Sequence, residues 1–531
     1  MTISLPKLSE TNLILLVSLF ITAFHNNRFF ANIAHTYGPG TDTWEPLALI
    51  GGLHFGLLLM VLLILTIGPW LRWLLAITLV FSSATAYFID TYNIIIDADM
   101  IDNSLKTDTG EIRDLLAPMQ LFYILLLGVL PAWLVIRIPT HPNPWKTRLY
   151  KRLASVLVTC MLVGVAVFSY ADFFASYLRQ EKILRYYNNP IAPVYGAYRF
   201  IEGQTLYNHT QELQIIADQA QRKTTGSKPK LTIVVVGETV RADHFGLNGY
   251  ERNTTPLLAQ YTGVVNFTQV TSCGTSTAYS LPCMFSYLER RNFDKQQAKY
   301  TENVLDILAK TGVDVLWLDN NSSSKGVADR VTYRNLKTPA LNPLCDPECR
   351  DPGMLSEAAK WLDESQNNND KLLILHQMGS HGPAYYKRYP KAFEVFKDTC
   401  QSNQLDTCSR QSIINAYDNT IVYTDYFLSL SIQWLQQRWA EYDVAMLYVS
   451  DHGESLGENG LYLHGYPYLF APKAQIQIPM FIWANKQHET IHLDQLAAHT
   501  NQPLSHDNLF HTLLGLHEID TTVYKPEMDI L

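Results

Sequence analysis

The chain has 531 residues, 47% hydrophobic and 17% charged, with a formal net charge of −8. Soluble domains average about 25% charged residues, and the shortfall lies at the front: residues 1–200 hold 14 Lys+Arg and 12 Asp+Glu, the remaining 331 hold 27 and 37. An aromatic content of 12% excludes disorder, the length argues against a single soluble domain, and no basic tail or stripe points to nucleic acid.

A helix needs about 20 apolar residues to cross roughly 30 Å of hydrocarbon. Five stretches qualify, at 12–30, 47–69, 71–90, 115–138 and 153–174. The first lacks a small-residue cleavage site and is followed by four more, so it reads as a retained helix rather than a signal peptide. The connection after the fourth carries Arg137, Lys146, Arg148, Lys151 and Arg152 and no acid, and Arg72 lies in the turn after the second. The 91–115 loop holds six acids against two bases. The positive-inside rule then places the N-terminus inside and everything after about residue 175 outside.

The cysteines agree with an exported back half. Cys160 lies in the fifth span, while Cys273, Cys283, Cys345, Cys349, Cys400 and Cys408 form three sequence-close pairs. An even set in an exported domain reads as disulfides, and short loops favour nearest-neighbour pairing. The alternative is a zinc knuckle at Cys345 and Cys349, for which no second ligand pair is present.

From 174 to 230 the chain is amphipathic and then linker-like, suited to the membrane interface. Beyond it, apolar runs at 231–238, 314–320, 371–378, 444–453 and 476–485 read as buried strands, and 302–311, 353–366 and 413–436 as helices. No internal repeat is present. The expectation is a five-helix transmembrane domain (1–175), interfacial helices and linker (176–230), and an α/β domain (231–531). The last has a mostly parallel sheet covered by helices on both faces.

In such sheets, sites gather beyond the carboxyl ends of the strands. Glu238 ends the first run, Asp451-His452 the fourth, and His376 the third, which continues through MGSHGP to His381; His464 follows in YLHGYP. Two carboxylates and an imidazole suit zinc better than magnesium. The block TSCGTSTAYSLPC (271–283) offers Thr275, Ser276, Thr277 and Ser280, any of which a metal could activate as a nucleophile. Spacing does not distinguish among them.

The runs VVVGETVRADHFGLNGYERNTTPLL, SCGTSTAYSLPCMFS, GSHGPAYYKRYP and VSDHGESLGENGLYLHGYP resemble the phosphoethanolamine transferases that modify lipid A. This group includes the mobile colistin-resistance enzymes and belongs to the alkaline phosphatase and sulfatase superfamily. The resemblance spans essentially the whole chain. It implies an alkaline-phosphatase-like catalytic domain in the periplasm, anchored as a monomer in the bacterial inner membrane. It also implies a zinc site of Glu238, Thr277, Asp451 and His452, with Thr277 the nucleophile that becomes phosphoethanolamine-modified. Asn321, Ser322 and Lys325 of DNNSSSKGV fall in the family's substrate loop. His381 and His464 match histidines at the substrate or a second zinc, and His376 matches a supporting, substrate-side position. Asn103, Thr107 and Glu111 of MIDNSLKTDTGE match contacts to the donor head group. The implied reaction moves phosphoethanolamine from phosphatidylethanolamine to a lipid A phosphate, releases diacylglycerol and confers polymyxin resistance. Ser323 stands where some relatives have an acid, and the CDPEC pair is more closely spaced than in some.

Rival readings make different demands. A phosphoglycerol transferase of the lipoteichoic acid synthase type would share the anchor and the superfamily. A sulfatase needs a C/S-x-P-x-R context, and the 273–283 block has no such arginine. A phosphate-ester hydrolase would not need five spans. An inert membrane sensor would not need Glu238, Thr277, Asp451 and His452 intact.

Overall fold

The first expected span is two helices, α1 (Glu10–Phe24) and α2 (Asn27–Tyr37), bent by 57° at His25-Asn26. The bend is affordable because side chains replace the lost backbone bonds. Asn26 Nδ2 donates to Ile21 O at 3.0 Å and to Asn189 O at 2.9 Å, and His25 Nδ1 lies 2.9 Å from Ser82 Oγ. Among the described residues, four further helices are long and apolar enough to cross a membrane: α3 (Trp44–Leu65), α4 (Leu71–Tyr92) and, beyond the short α5 (Ala98–Leu105), α6 (Pro118–Arg137) and α7 (Trp145–Ser169). These make four spans, or five if the bent pair is one. Helix α7 begins eight residues before the expected 153 because its first turns are the basic segment itself, WKTRLYKR. It is buried only at Arg152 and Thr159, while Leu157 is 71% and Phe168 85% exposed. Such an outward apolar surface suits contact with acyl chains.

The computed structural model describes residues 7–38, 43–66, 68–106, 115, 117–141, 144–206, 212–223, 226–346, 348–365 and 367–531. The chain divides into two units, Met1–Ile101 with Leu116–Ile201, and Asp102–Leu115 with Glu202–Leu531. In the first, Glu10 pairs with Arg148 at 3.1 Å and Arg152 at 3.4 Å, and Arg72 donates to Thr140 Oγ1 at 3.1 Å. The start of α1, the α3–α4 turn and the α6–α7 connection therefore meet at one end of the helices.

The second unit is built on an eight-stranded sheet. In chain order its strands are β1 (Lys230–Gly237), β2 (Val264–Thr271), β3 (Asp314–Asp319), β4 (Thr332–Asn335), β5 (Lys371–His376), β6 (Asp443–Ser450), β7 (Gln477–Ala484) and β8 (Leu504–Ser505). The spatial order is β8-β2-β7-β6-β1-β5-β3-β4. Only β7 runs antiparallel to its neighbours. Every residue of β1, β5 and β6 is buried, as expected where helices cover both faces. The expected helices appear as α9 (Val304–Lys310), α10 (Met354–Glu364) and α11 (Arg410–Gln436), and a short one, α8 (Thr277–Met284), lies within the hydroxyl block. Because the register pairs Gly237 with Ser450, Val236 with His376 and His376 with Asp319, four strands end together.

Candidate active site

Three acceptor groups meet where β1 and β6 end. Glu238, Asp451 and His452 are completely buried, and one ligand atom from each lies within 4.8 Å of the others. His452 Nδ1 is spent on Gly453 O at 2.9 Å, so that nitrogen carries the proton and Nε2 presents its lone pair. Nε2 then faces Asp451 Oδ2 at 3.2 Å and Glu238 Oε1 at 3.6 Å with no proton between them. Burial drives the His452 imidazole well below its ordinary range, so the ring stays neutral. Burial also pushes the Asp451 carboxyl up to about 6. Buried acceptors pointed at one another are costly unless a cation sits among them, and an N,O,O set at this spacing fits zinc.

Thr277 completes the cluster. It is the first residue of α8, and its Oγ1 lies 3.3 and 3.2 Å from the two Glu238 oxygens and 3.3 Å from His452 Nε2. Two other hydroxyls of the block are used differently. Thr275 Oγ1 donates to Tyr466 O at 2.7 Å, and Ser280 Oγ accepts from Gly274 N at 3.0 Å. Cys273 and Cys283 are bridged around this turn, and Cys345–Cys349 and Cys400–Cys408 form the other two disulfides, so Cys345 and Cys349 are not zinc ligands.

Glu238 is held from several directions. Asn321 Nδ2 donates to its Oε2 at 2.6 Å and to Gln377 O at 2.7 Å. The following residue, Thr239, is β-branched yet has φ 54°, a strained conformation. It is fixed by its N–H on Asp451 Oδ1 at 3.0 Å and by Tyr417 O–H on its carbonyl at 2.7 Å. Across from it, Gly379 has φ 51°, and a Cβ there would come within 3.0–3.1 Å of Glu238. Only glycine fits that approach.

The remaining expected residues divide. His464 and His381 come to the cluster, their rings 5.8 Å apart and His464 4.4 Å from His452. Ser322 is buried beside Asn321, and Lys325 Nζ reaches Lys106 O at 3.1 Å. Asn103 lies on α5; Thr107 and Glu111 lie outside the described residues. His376 is fully buried, its Nδ1 3.0 Å from Asp319 Oδ2 and its ring against Trp317.

A family profile described as "Phosphoethanolamine transferase EptA/EptB" matches residues 54–205, and one described as "Sulfatase" matches 230–519. The Escherichia coli protein named phosphatidylethanolamine transferase Mcr-1 is 44% identical over 520 residues, covering 96% of this chain and 95% of its own. The chain belongs to the phosphoethanolamine transferase family. Phosphoethanolamine transferase EptA of Salmonella typhimurium is 41% identical over 476 residues, covering 87% of this chain and 85% of its own. The structure of integral membrane EptA from Neisseria meningitidis superposes with a TM-score of 0.94 at 36% identity, covering 99% of both chains.

In this phosphoethanolamine transferase family member, several buried groups around the cluster were not singled out from sequence. Asp319 accepts from the Trp317 indole, from the N–H groups of Asn321 and Ser323, and lies against His376. Burial alone would raise its carboxyl, but His376 and the Trp317 indole outweigh it and hold it below the usual range. Asp351 accepts from Asn320, Gln377, Met378 N and Gly379 N. Glu454 accepts from Tyr385 O–H at 2.6 Å and from His464 Nδ1 at 2.8 Å. His506 accepts from Cys273 N and donates to Ser450 O, tying the hydroxyl turn to the end of β6. The available signals were an Asp ending a strand in DVLWLDN and a Glu three residues after Asp451.

Proposed function

We propose that the chain transfers phosphoethanolamine from phosphatidylethanolamine to a phosphate of lipid A through a phosphoethanolamine ester on Thr277, conferring resistance to polymyxins such as colistin. The observation that carries this reading is the placement of Thr277 Oγ1 within 3.3 Å of both Glu238 and His452, against an acceptor-only cradle. Glu238, Asp451 and His452, with Thr277, would hold a zinc ion. Bound zinc lowers the pKa of a neighbouring hydroxyl and offsets charge on phosphoryl oxygens.

In the first half-reaction the Thr277 oxygen attacks the donor phosphorus. The bond from phosphorus to the glycerol oxygen breaks, and diacylglycerol leaves with the proton the hydroxyl gave up. In the second, an acceptor phosphate oxygen attacks the same phosphorus. The bond from phosphorus to the Thr277 oxygen breaks, that oxygen takes the proton the acceptor phosphate monoanion gives up, and a P–O–P link joins the group to lipid A. Phosphoryl transfer asks mainly for positioning and charge stabilisation. Asn321 holds Glu238, Ser322 and Lys325 bear on the phosphate, and Asn103, Thr107 and Glu111 take the donor head group, Glu111 its ammonium. His464 or His381 carries the proton between the two oxygens. The helices anchor the protein in the inner membrane with its N-terminus inside and the catalytic domain in the periplasm, where both lipids are at hand.

Two mass spectra test the proposal. Lipid A from cells expressing the protein gains phosphoethanolamine, and the intact protein incubated with phosphatidylethanolamine gains one adduct. Thr277→Ala loses both while still inserting and melting as the wild type does. Modified lipid A from the Thr277→Ala strain would remove Thr277 from the reaction; no modification by the wild type would remove the acceptor.

A further inference from the structure

A groove of about 570 Å³ runs between α1, α3 and α7 of the front unit. At Gly56 a Cβ would come within 2.5 Å of Val163 Cγ2, so α3 and α7 touch at that level. One turn away, at Gly52, a Cβ would meet nothing within 4 Å, and the space between the helices is open. Val158 and Leu162 on α7 line the groove while 51% and 62% exposed, so it opens sideways to whatever surrounds the helices. Among the described residues its polar lining groups are Thr11, Ser155 and Thr159, and none is charged. Ser155 Oγ and Thr159 Oγ1 donate back to Lys151 O and Ser155 O, both at 2.8 Å, which leaves the wall apolar. On α7 the lining runs from Ala154 to Val167, about 20 Å at 1.5 Å per residue. One leaflet contributes about 15 Å of hydrocarbon, half of the bilayer's. The groove is apolar and at least as long as a leaflet is deep, the shape of an extended acyl chain.

One end of the groove, at Thr11, Leu63 and Ala154, is the basic end of the unit. There Leu8 is hydrogen-bonded to Pro139 and His141, Arg72 donates to Thr140, and Arg152 Nη2 donates to Thr66 O at 3.2 Å. The three chain segments that meet are 1–10, 64–74 and 136–156. They hold Lys7, Arg72 and five cations from Arg137 to Arg152 against a single acid, Glu10. Glu10 is already engaged on both oxygens, Oε1 with Arg148 at 3.1 Å and Oε2 with Arg152 at 3.4 Å. Lys151 is exposed and stands one turn before Ser155 on the face of α7 that lines the groove. A lysine so placed lays its stem along apolar surface and holds its ammonium at the level of the head groups.

We propose that the groove seats one acyl chain of a phosphatidylglycerol molecule, with the lipid's phosphate at Lys151. An apolar slot that ends in an excess of cations matches a lipid with a long chain and an anionic head. A zwitterionic head would bring its ammonium to an end whose one carboxylate is doubly paired. On the orientation proposed above this end lies in the cytoplasmic leaflet, so the bound lipid is not the donor of the transfer reaction.

The test uses the full-length protein in nanodiscs of equal parts phosphatidylethanolamine and phosphatidylglycerol, released intact into a mass spectrometer. The wild type retains one phosphatidylglycerol in preference to phosphatidylethanolamine. A cation beside the membrane surface is worth about a factor of five, so Lys151→Gln lowers that preference about fivefold and Lys151→Glu lowers it further. Lys146→Gln, five residues earlier and so about 140° around the helix, leaves it unchanged. Gly52→Phe fills the open turn and loses the retained lipid, and adding Lys151→Gln to it changes nothing more, because both act on one molecule. Equal losses from the Lys146 and Lys151 variants would reduce the effect to diffuse attraction and overturn the site. Equal retention of the two lipids would overturn the head-group assignment, and wild-type retention by Gly52→Phe would overturn the groove. A wild-type dimer that Gly52→Phe disperses would give the groove to a second copy of the chain instead. The lysine variants lie on exposed surface, so they judge the site even if Gly52→Phe fails to insert. Both leaflets of the disc hold the same lipids, so the result judges the site independently of which way the protein faces in the cell.

Discussion

A histidine has two ring nitrogens, and its neighbour decides which one is open. His452 spends Nδ1 on Gly453 O and turns Nε2 toward Asp451 and Glu238. His464 spends Nδ1 on Glu454, whose other oxygen is fixed by Tyr385 O–H. Glu454 is completely buried, so it has no water to exchange for these donors. Replacing Glu454 with Gln puts an NH₂ group opposite one of the two donors and turns His464 to another tautomer or rotamer. Outer-shell groups of this kind are worth about 10–100-fold in activity. Glu454→Gln is therefore expected to lower kcat by that factor while zinc content by mass spectrometry stays at wild-type stoichiometry, because Glu454 is not one of the cradle's acceptors. A loss of zinc equal to the loss of rate would show that Glu454 supports the cradle rather than His464.

At the scale of elements, α11 is the longest helix of the second unit, and it fixes a distant loop through one carboxylate. Asp425 accepts from Leu257 N and Leu258 N at 2.8 and 2.9 Å. Burial outweighs those two donors and pushes its carboxyl up to about 7. The unfolded chain releases this proton near pH 4, so between about pH 4 and 7 the folded state binds more protons. The contribution is complete below pH 4 and is lost as pH rises through 7. Melting of the wild type should fall from pH 5 to 8; Asp425→Asn should begin lower, having lost one acceptor, and fall less steeply. Parallel melting curves for the two proteins across that range would refute the assignment. This contact also shows what could be read from sequence. The central strands were legible because they are continuous apolar runs buried on both faces. Strand β2, VVNFTQVT, alternates and is half exposed, and the edge strand β4 is the polar TYRN, so neither announces itself. At the site, Glu238, Asp451 and His452 were legible as polar residues ending apolar runs. The pairings Asp319–His376, Glu454–Tyr385 and Asp425–Leu257 join residues 57, 69 and 168 positions apart, and no local pattern encodes them.

Across the whole molecule, charge and cysteine are divided by environment. The front unit carries its apolar surface outward on α7, and its buried ions are paired, as with Arg152 and Glu10. The back carries the excess acid, 37 Asp+Glu against 27 Lys+Arg from residue 201 onward, so bulk attraction cannot recruit a polyanionic lipid. On the proposed reaction the work falls to the groups of the cradle, with the bilayer supplying both lipids at high effective concentration. All six bridged cysteines also lie in the back, closing loops of sequence separation 10, 4 and 8, while Cys160 on α7 is free. Loops of that size stabilise by roughly 2–3 kcal/mol each through the unfolded chain, a gain kept only in an oxidising compartment. The bridges differ in what else they hold. Cys273–Cys283 brackets Thr277, whereas Cys400–Cys408 precedes α11. In the full-length protein, replacing Cys400 and Cys408 with Ser should lower the melting temperature by about 4–6 °C with transfer activity kept below the melt. Replacing Cys273 and Cys283 should cost similar stability and most of the activity as well, because the attacking oxygen loses its fixed position. Cys160→Ser should change neither. A reductant that left both the melt and the activity of the wild type untouched would show that the bridges are not made in the mature protein, and placement of the back half in an oxidising compartment would fall with them.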